Sequence, residues 1–111
     1  MSVICIDSQE RFEKLALGQK PLVIEFLATW CKPCEYIAPS FEGLAKEFQQ
    51  LQFGYIDVDN TAFGFEFSQR LGIRATPTFQ IIEKGVKVEE RVGADKDKLR
   101  AMVTDYLGLT I

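Results

Sequence analysis

Residues 26–34 of this 111-residue chain decide its fold, and they read Phe26-Leu27-Ala28-Thr29-Trp30-Cys31-Lys32-Pro33-Cys34. They continue an almost wholly apolar run that begins at Leu22, which predicts a central β-strand covered on both faces. The segment Ala28–Pro33 breaks the strand, and from Cys34 to Phe48 apolar side chains recur with the period of an amphipathic helix. A Cys-x-x-Cys motif therefore lies at the junction of a buried strand and a helix.

The position of this motif gives its two cysteines different chemical roles. We expect Cys31 at the helix N-terminus, where unpaired N–H groups and the helix dipole stabilise a thiolate and lower its pKa. Cys34 lies one turn further along, and we expect it to be the more buried of the two. Cys31 would then attack a disulfide, and Cys34 would resolve the resulting mixed disulfide. The alternatives are half of a zinc site or two incidental core thiols.

The overall composition narrows the possible functions. The chain has three cysteines and no histidine, which excludes Cys₄ zinc sites, mixed Cys/His zinc sites and Cys–His nucleophile pairs. A net charge of −3 without a basic run argues against nucleic-acid binding. No stretch approaches the roughly 20 apolar residues of a membrane span, and we see no secretory signal. We therefore expect a cytoplasmic protein of one domain, residues 1–111, with no bound metal and no membrane partner.

Turn residues divide the chain into nine elements in the order βαβαβαββα. The predicted elements are Val3–Ile6, a helix that begins with a capping box at Asp7 and Glu10, Leu22–Leu27, Cys34–Phe48, Leu51–Val58, a helix through Phe63, Phe67 and Leu71, Pro77–Glu83, Val86–Val92, and a helix capped by Asp95. Strands that alternate with helices pair in parallel, while the hairpin at Lys84–Gly85 adds antiparallel strands. The prediction is an α/β fold: a mixed five-stranded sheet with about four helices on both faces.

Several segments together resemble the thioredoxin family. Trp30–Cys34 resembles its active-site motif, Ile73–Phe79 its cis-proline segment, and Val92–Ala94 the glycine loop beside the site. Pro39 falls where the family has a helix proline, so the resemblance covers essentially the whole chain. It implies the thioredoxin fold in one domain and a cis peptide bond before Pro77.

The resemblance also implies site roles and partners. The positions that match the family's substrate-binding surface are Trp30, Lys32, Pro33, Thr76, Pro77 and Gly93. The chain would be a monomer that reduces disulfides in client proteins and is recharged by thioredoxin reductase with electrons from NADPH. The reductase alone would bind NADPH, because this chain has no Gly-rich dinucleotide loop.

Two other functions remain open at this point. The same chemistry in reverse would make a disulfide oxidase or isomerase, and the fold could also serve as a redox-inactive binding module. Lys32 favours the oxidase, because a cation near Cys31 stabilises the thiolate and makes the pair more oxidising. The family usually has glycine at this position and lysine where this chain has Glu35. Our hypothesis is that Lys32 lowers the pKa of Cys31; the alternative is a solvated lysine with little effect.

Glu25 interrupts the apolar run Leu22–Leu27. Burial should raise its pKa, because desolvation disfavours the charged carboxylate. The family usually has a buried aspartate here, proposed to take the proton of the second cysteine, so the resemblance gives Glu25 this role toward Cys34. The alternative is an ion pair with a neighbour, although the lysine that some members place nearby is matched by Tyr55 here.

Two further segments each have two interpretations. Thr61–Phe67 makes the chain about three residues longer than the family pattern, and its phenylalanines either extend a helix into the core or form an exposed patch for a partner. Cys5 lies on the first strand, where we expect a buried, inert thiol rather than a third redox group. Asp57 and Asp59 are expected to end a strand and not to bind a metal.

Overall fold

The computed structural model describes residues 2–109. Its elements are β1 (Val3–Cys5), α1 (Gln9–Ala16), β2 (Leu22–Leu27), α2 (Lys32–Glu47), β3 (Gln52–Asp57), α3 (Ala62–Arg70), β4 (Thr78–Glu83), β5 (Val86–Val92) and α4 (Lys96–Tyr106). This order is the one that the sequence predicts. Within residues 2–109, none of the helices is long and apolar enough to cross a membrane.

The five strands form one mixed sheet in the order β1-β3-β2-β4-β5. β3 is parallel to both β1 and β2, whereas β4 is antiparallel to β2 and β5. β2 is therefore the central strand, and its residues Leu22–Phe26 are all buried. The predicted mixed sheet is confirmed, and the apolar run occupies the position at which a strand is covered on both faces.

Each face of the sheet has its own hydrophobic core. On one face, α2 and α4 pack over the sheet through the buried side chains Ile37, Phe41, Leu44, Leu99, Met102 and Val103, against Val23, Phe53, Phe79 and Ile81. On the other face, α1 and α3 contribute Ala16 and Phe67, which lie against Ile24, Phe26 and Ile56. This arrangement fixes the carboxyl end of β2 between the two layers, and the Cys-x-x-Cys motif follows it directly.

The start of α1 differs from the prediction. The prediction of a capping box at Asp7 and Glu10 is wrong. Ser8 is the N-cap, and its side chain accepts a hydrogen bond from the Arg11 N–H at 3.1 Å. Asp and Ser are equally good N-cap residues, so two of them in succession leave the choice to the path of the backbone. Asp95 does cap α4 as predicted, accepting from the N–H groups of Asp97 and Lys98.

Cys5 is exposed, so the expectation of a buried thiol is wrong. Among the described residues β1 is an edge strand that pairs only with β3, and Cys5 lies in register with Tyr55. Its neighbour Ile6 faces the α1/α3 core, which leaves Cys5 on the opposite face at the margin of the sheet. A hydrogen bond with Cys5 is the main reason that the pKa of Tyr55 is raised.

The core interpretation of Thr61–Phe67 holds for Phe63 and Phe67, whereas Phe65 lies at the surface, and a partner for that surface stays a prediction. Thr61 is the N-cap of α3 and accepts from the Gly64 N–H at 2.8 Å, and a Cβ on Gly64 would overlap the Asp57 carbonyl. The rings of Phe63 and Phe67 stack with their centroids 5.1 Å apart and pack against the α1/α3 core. Phe65, between them, is 52% exposed. One turn of helix thus supplies two core rings and one surface ring.

Candidate active site

The redox motif sits at the N-terminus of α2. Cys31 is the N-cap, with extended backbone at φ −89° and ψ 109°, and α2 begins at Lys32 rather than at the predicted Cys34. Pro33 stands in the first turn, where a missing N–H costs nothing. The sulfur of Cys31 accepts a hydrogen bond from the Cys34 N–H at 3.2 Å. The sequence therefore places this sulfur where the helix N-terminus stabilises negative charge.

Cys31 and Cys34 are joined as a disulfide, with their Cα atoms 5.2 Å apart. Both are buried, since Cys31 is 3% exposed and Cys34 is 6% exposed. The expectation that Cys34 is the more buried residue is therefore wrong in this oxidised state. Cys31 forms a small apolar cluster with Ala28 and Cys34.

Trp30 lies on the surface beside the disulfide. Its side chain is 69% exposed, and its Nε1–H donates a hydrogen bond to Oδ2 of Asp59. This bond holds the indole in one orientation while leaving most of its ring open to solvent. Trp30 is thus available for contact with another molecule and is not a core residue.

The predicted cis-proline loop closes the other side of the site. The Thr76–Pro77 peptide bond is cis, and the Thr76 carbonyl oxygen lies 3.5 Å from the Cys31 sulfur. Gly93 has a φ of +103°, which favours glycine, and its N–H donates to the Pro77 carbonyl at 2.9 Å. The Thr76–Pro77 loop therefore lies beside Cys31, and Gly93 is hydrogen-bonded to this loop.

Glu25 is a buried carboxyl group without an ion-pair partner among residues 2–109. It is 2% exposed, its Oε2 has no hydrogen-bond partner, and burial raises its pKa from 4.5 to about 7. It shares a sheet face with Val23, which packs under α2, and it lies in register between Tyr55 and Phe79. Glu25 therefore faces the helix that carries Cys34, and the ion-pair alternative finds no support.

Comparison with known proteins identifies the family to which this geometry belongs. The sequence profile described as Thioredoxin matches residues 2–105. The chain belongs to the thioredoxin family. Thioredoxin H-type from Chlamydomonas reinhardtii is 43% identical over 110 residues and covers 95% of each chain. Thioredoxin from Mus musculus is 39% identical, over 91% of this chain and 95% of the mouse protein.

Solved structures of thioredoxins have the same fold. A poplar thioredoxin h superposes with a TM-score of 0.88 at 36% identity, covering 96% of this chain and 97% of the poplar chain. Malassezia sympodialis thioredoxin superposes with a TM-score of 0.84 at 39% identity, covering 93% and 89% of the two chains. The predicted thioredoxin fold is confirmed.

Family membership and the bridged cysteines establish the activity. This thioredoxin-family chain is a thiol–disulfide oxidoreductase of the protein-disulfide reductase type, and the Cys31–Cys34 pair is its redox-active group. Thioredoxins need no bound cofactor. Across residues 2–109, no group of three or more His, Cys, Asp or Glu side chains could hold a metal ion.

Lys32 forms an ion pair with a neighbouring carboxylate. Its Nζ lies 3.5 Å from Oε2 of Glu35, one turn along α2, and both side chains are strongly exposed. The departure from the usual thioredoxin residues is therefore a pair of opposite charges rather than an added cation. The influence of Lys32 on Cys31 is opposed by Glu35 and is weakened by solvent.

We expect Lys32→Gly to lower the reactivity of Cys31 only slightly and Glu35→Gln to raise it. Lys32→Gly removes a screened cation, so the rate of Cys31 alkylation by iodoacetamide below its pKa should fall by less than about threefold. Glu35→Gln frees the cation and should increase that rate. Lys46→Gly, at the other end of α2, is the control. Equal rates in all variants would show that neither charge reaches Cys31.

The sequence predicts no functional role for Asp59, and it predicts one for Phe65 only in the exposed-patch interpretation of Thr61–Phe67. Asp59 was assigned only to the end of a strand, yet it accepts the hydrogen bond of Trp30. The sequence does contain a signal for this contact. Trp30 and Asp59 each follow the carboxyl end of a strand, and these strands, β2 and β3, are parallel neighbours. Phe65 lines a cavity of about 190 Å³ with Trp30 and Thr76. Its outward position follows from helix geometry, since Phe63 and Phe67 share a face that Phe65 does not.

Proposed function

We propose that this chain reduces disulfides of client proteins in the cytoplasm and is recharged by thioredoxin reductase, which draws its electrons from NADPH. It would act as a monomer whose 111 residues form one domain. The observation that carries the proposal is the Cys31 sulfur at the N-terminus of α2, within bridging distance of Cys34. The exposed free thiol of Cys5 fits a reducing compartment.

The two cysteines would act in sequence. The Cys31 thiolate attacks one sulfur of a client disulfide, which forms a Cys31–client disulfide and releases the other client sulfur as a thiolate. The Cys34 thiolate then attacks the Cys31 sulfur, which forms the Cys31–Cys34 disulfide and releases the second client thiolate. Two electrons pass to the client, and the reductase returns two electrons to the chain.

Glu25 would take the proton of Cys34. A carboxyl group with a pKa of about 7 can both accept and release a proton near neutral pH. Its placement under α2, with Oε2 unpaired, supports a role toward the first turn of that helix. In this proposal Glu25 acts as a base that converts the Cys34 thiol into the attacking thiolate.

The client would lie on the surface around the disulfide. Exposed Trp30 contacts one side of it, while the backbone of Thr76 and the Gly93 loop accept an extended client segment. Exposed Lys32 and Pro33 border the approach to Cys31. Pro77 is buried and bonded through its carbonyl to Gly93, so its contribution is to shape the loop.

Insulin reduction with thioredoxin reductase and NADPH tests this proposal, paired with equilibration against glutathione. The first assay should show turnover that depends on all three components. The second should give a potential more reducing than glutathione. A potential well above that of glutathione would assign the chain to disulfide oxidases or isomerases instead. Failure to accept electrons from any thioredoxin reductase would remove the proposed partner while leaving the dithiol chemistry in place.

A further inference from the structure

A second surface groove lies between the start of α1 and α3. It has a volume of about 850 Å³, and its walls include Asp7 and Gln9 on one side and Phe63, Phe65 and Glu66 on the other. Phe63 is half-buried and Phe65 is largely open, so the groove has an aromatic wall. A volume of this size is within the range of ligand sites in proteins. We call this feature the α1–α3 groove.

Phe65 connects the α1–α3 groove to the redox site. The same ring also lines the cavity of about 190 Å³ that is bordered by Trp30 and Thr76. The two concave regions therefore share one wall, and a chain that lies across Trp30 can continue over Phe65 without leaving the surface. The groove is thus an extension of the surface at which a client is proposed to bind.

The charges around the α1–α3 groove favour a basic ligand. Asp7 and Glu66 are exposed on its two sides, and neither forms a salt bridge within residues 2–109. The cation of the groove, Arg70, donates to Oε1 of Gln9 at 3.1 Å and lies over the Phe67 ring at 5.4 Å. These contacts orient the guanidinium, which keeps its charge. With Asp7 and Glu66 against the single cation Arg70, the lining of the groove has a net charge of −1, which favours a basic ligand.

We propose that the α1–α3 groove binds a flanking segment of the client protein in which an apolar side chain adjoins a lysine or arginine. The apolar side chain would cover Phe63 and Phe65, and the basic one would lie between Asp7 and Glu66. This inference rests on the proposed function and narrows its clients to disulfides with such a segment nearby. The ring of Phe65 is the anchor, because it lines both concave regions, and truncation of an aromatic hot spot costs more than about tenfold in binding.

The test compares disulfide-linked peptides that differ only in one flanking pair: Leu-Arg, Leu-Glu or Ser-Arg, placed at successive positions on either side of the cysteine. A small aromatic disulfide reagent serves as the reference substrate. For the wild type, kcat/KM should be highest with Leu-Arg at one spacing. Phe65→Ala should lower the ratio of kcat/KM for this peptide to that for the reagent by about tenfold. Asp7→Asn with Glu66→Gln should remove the preference for Leu-Arg over Leu-Glu and flatten its salt dependence.

Leu17→Ala is the matched control, because Leu17 is an exposed leucine at the other end of α1. It should keep the wild-type ratio, and thermal unfolding should show all variants folded. Equal kcat/KM for the three peptides in the wild type, or an unchanged ratio in Phe65→Ala, would overturn the groove proposal. Reduction of the reagent and of insulin would persist in that case. Loss of those reactions in the wild type would instead contradict the proposed function.

Discussion

Replacing Cys34 with serine should trap the chain in a covalent complex with its client. Cys31 would still attack. Its sulfur accepts a hydrogen bond from the backbone N–H of residue 34, and this group survives the substitution. The second attack would have no sulfur, so one client thiol would be released per chain and turnover would stop. We expect insulin reduction to fall by more than about a thousandfold, as when a nucleophile is removed from other enzymes.

Cys31→Ser should lose the same turnover without forming a trapped complex. Helix N-termini stabilise a thiolate but do not convert a serine hydroxyl into a nucleophile of comparable strength. Intact-mass measurement after mixing with a disulfide-containing client separates the two variants: Cys34→Ser gains the mass of a client, and Cys31→Ser keeps its own. This difference is the direct check on which sulfur attacks.

Cys5→Ser is the control for both variants, because Cys5 is an exposed thiol outside the redox pair. It should retain the turnover of the wild type. A client bound through Cys5 would also add mass, so the trapping experiment is best made in a Cys5→Ser background. A complex that forms equally in Cys31→Ser and Cys34→Ser would contradict the proposed order of attack.

The central strand and the redox motif were predictable because their signals are local. An apolar run from Leu22 to Leu27 is long enough for a strand and too uniform for a half-exposed one. The Cys-x-x-Cys motif and Pro33 define a helix start within a few residues. These features require no knowledge of the rest of the sheet, and the structure agrees with them to within two residues at α2.

Cys5 and Asp59 were not predictable in the same way, because their surroundings depend on strand order. A strand such as Val3–Cys5 has the same sequence pattern at an edge as in the centre, and only the order β1-β3-β2 places Cys5 at the margin. Asp59 meets Trp30 because β2 and β3 are neighbours, although the two residues are 29 positions apart. Phe65 is exposed for a different reason. Phe63 and Phe67 occupy the helix face that packs on the core, and Phe65 lies on another face of the same helix.

Replacing Glu25 with glutamine should stabilise the folded chain at high pH and leave it nearly unchanged at low pH. The pKa of Glu25 is raised to about 7 from 4.5, so the folded chain keeps a proton that the unfolded chain releases between these values. The free energy of unfolding of the wild type should therefore fall as the pH rises through this window. Above pH 7 the full cost of the buried charge, about 3 kcal/mol, is present in the wild type.

Glutamine does not titrate, so the difference between variant and wild type should be small near pH 4.5 and approach about 3 kcal/mol above pH 7. Urea unfolding of the oxidised proteins measures it, because the disulfide removes the thiol titrations of Cys31 and Cys34. Glu35→Gln is the matched control, since it makes the same substitution at an exposed carboxyl group. A pH-independent difference for Glu25→Gln would show that Glu25 does not titrate in this window.

The same substitution should slow the resolution of the mixed disulfide if Glu25 takes the proton of Cys34. Positioned general bases contribute about a hundredfold or more to a proton-transfer step. The rate of client release from the Cys31–client complex should therefore fall in Glu25→Gln, and its rise with pH around 7 should disappear. Gain of stability together with an unchanged release rate would assign Glu25 to the energetics of the fold alone. Gain of stability with slower release identifies a buried charge that is retained because the reaction uses it.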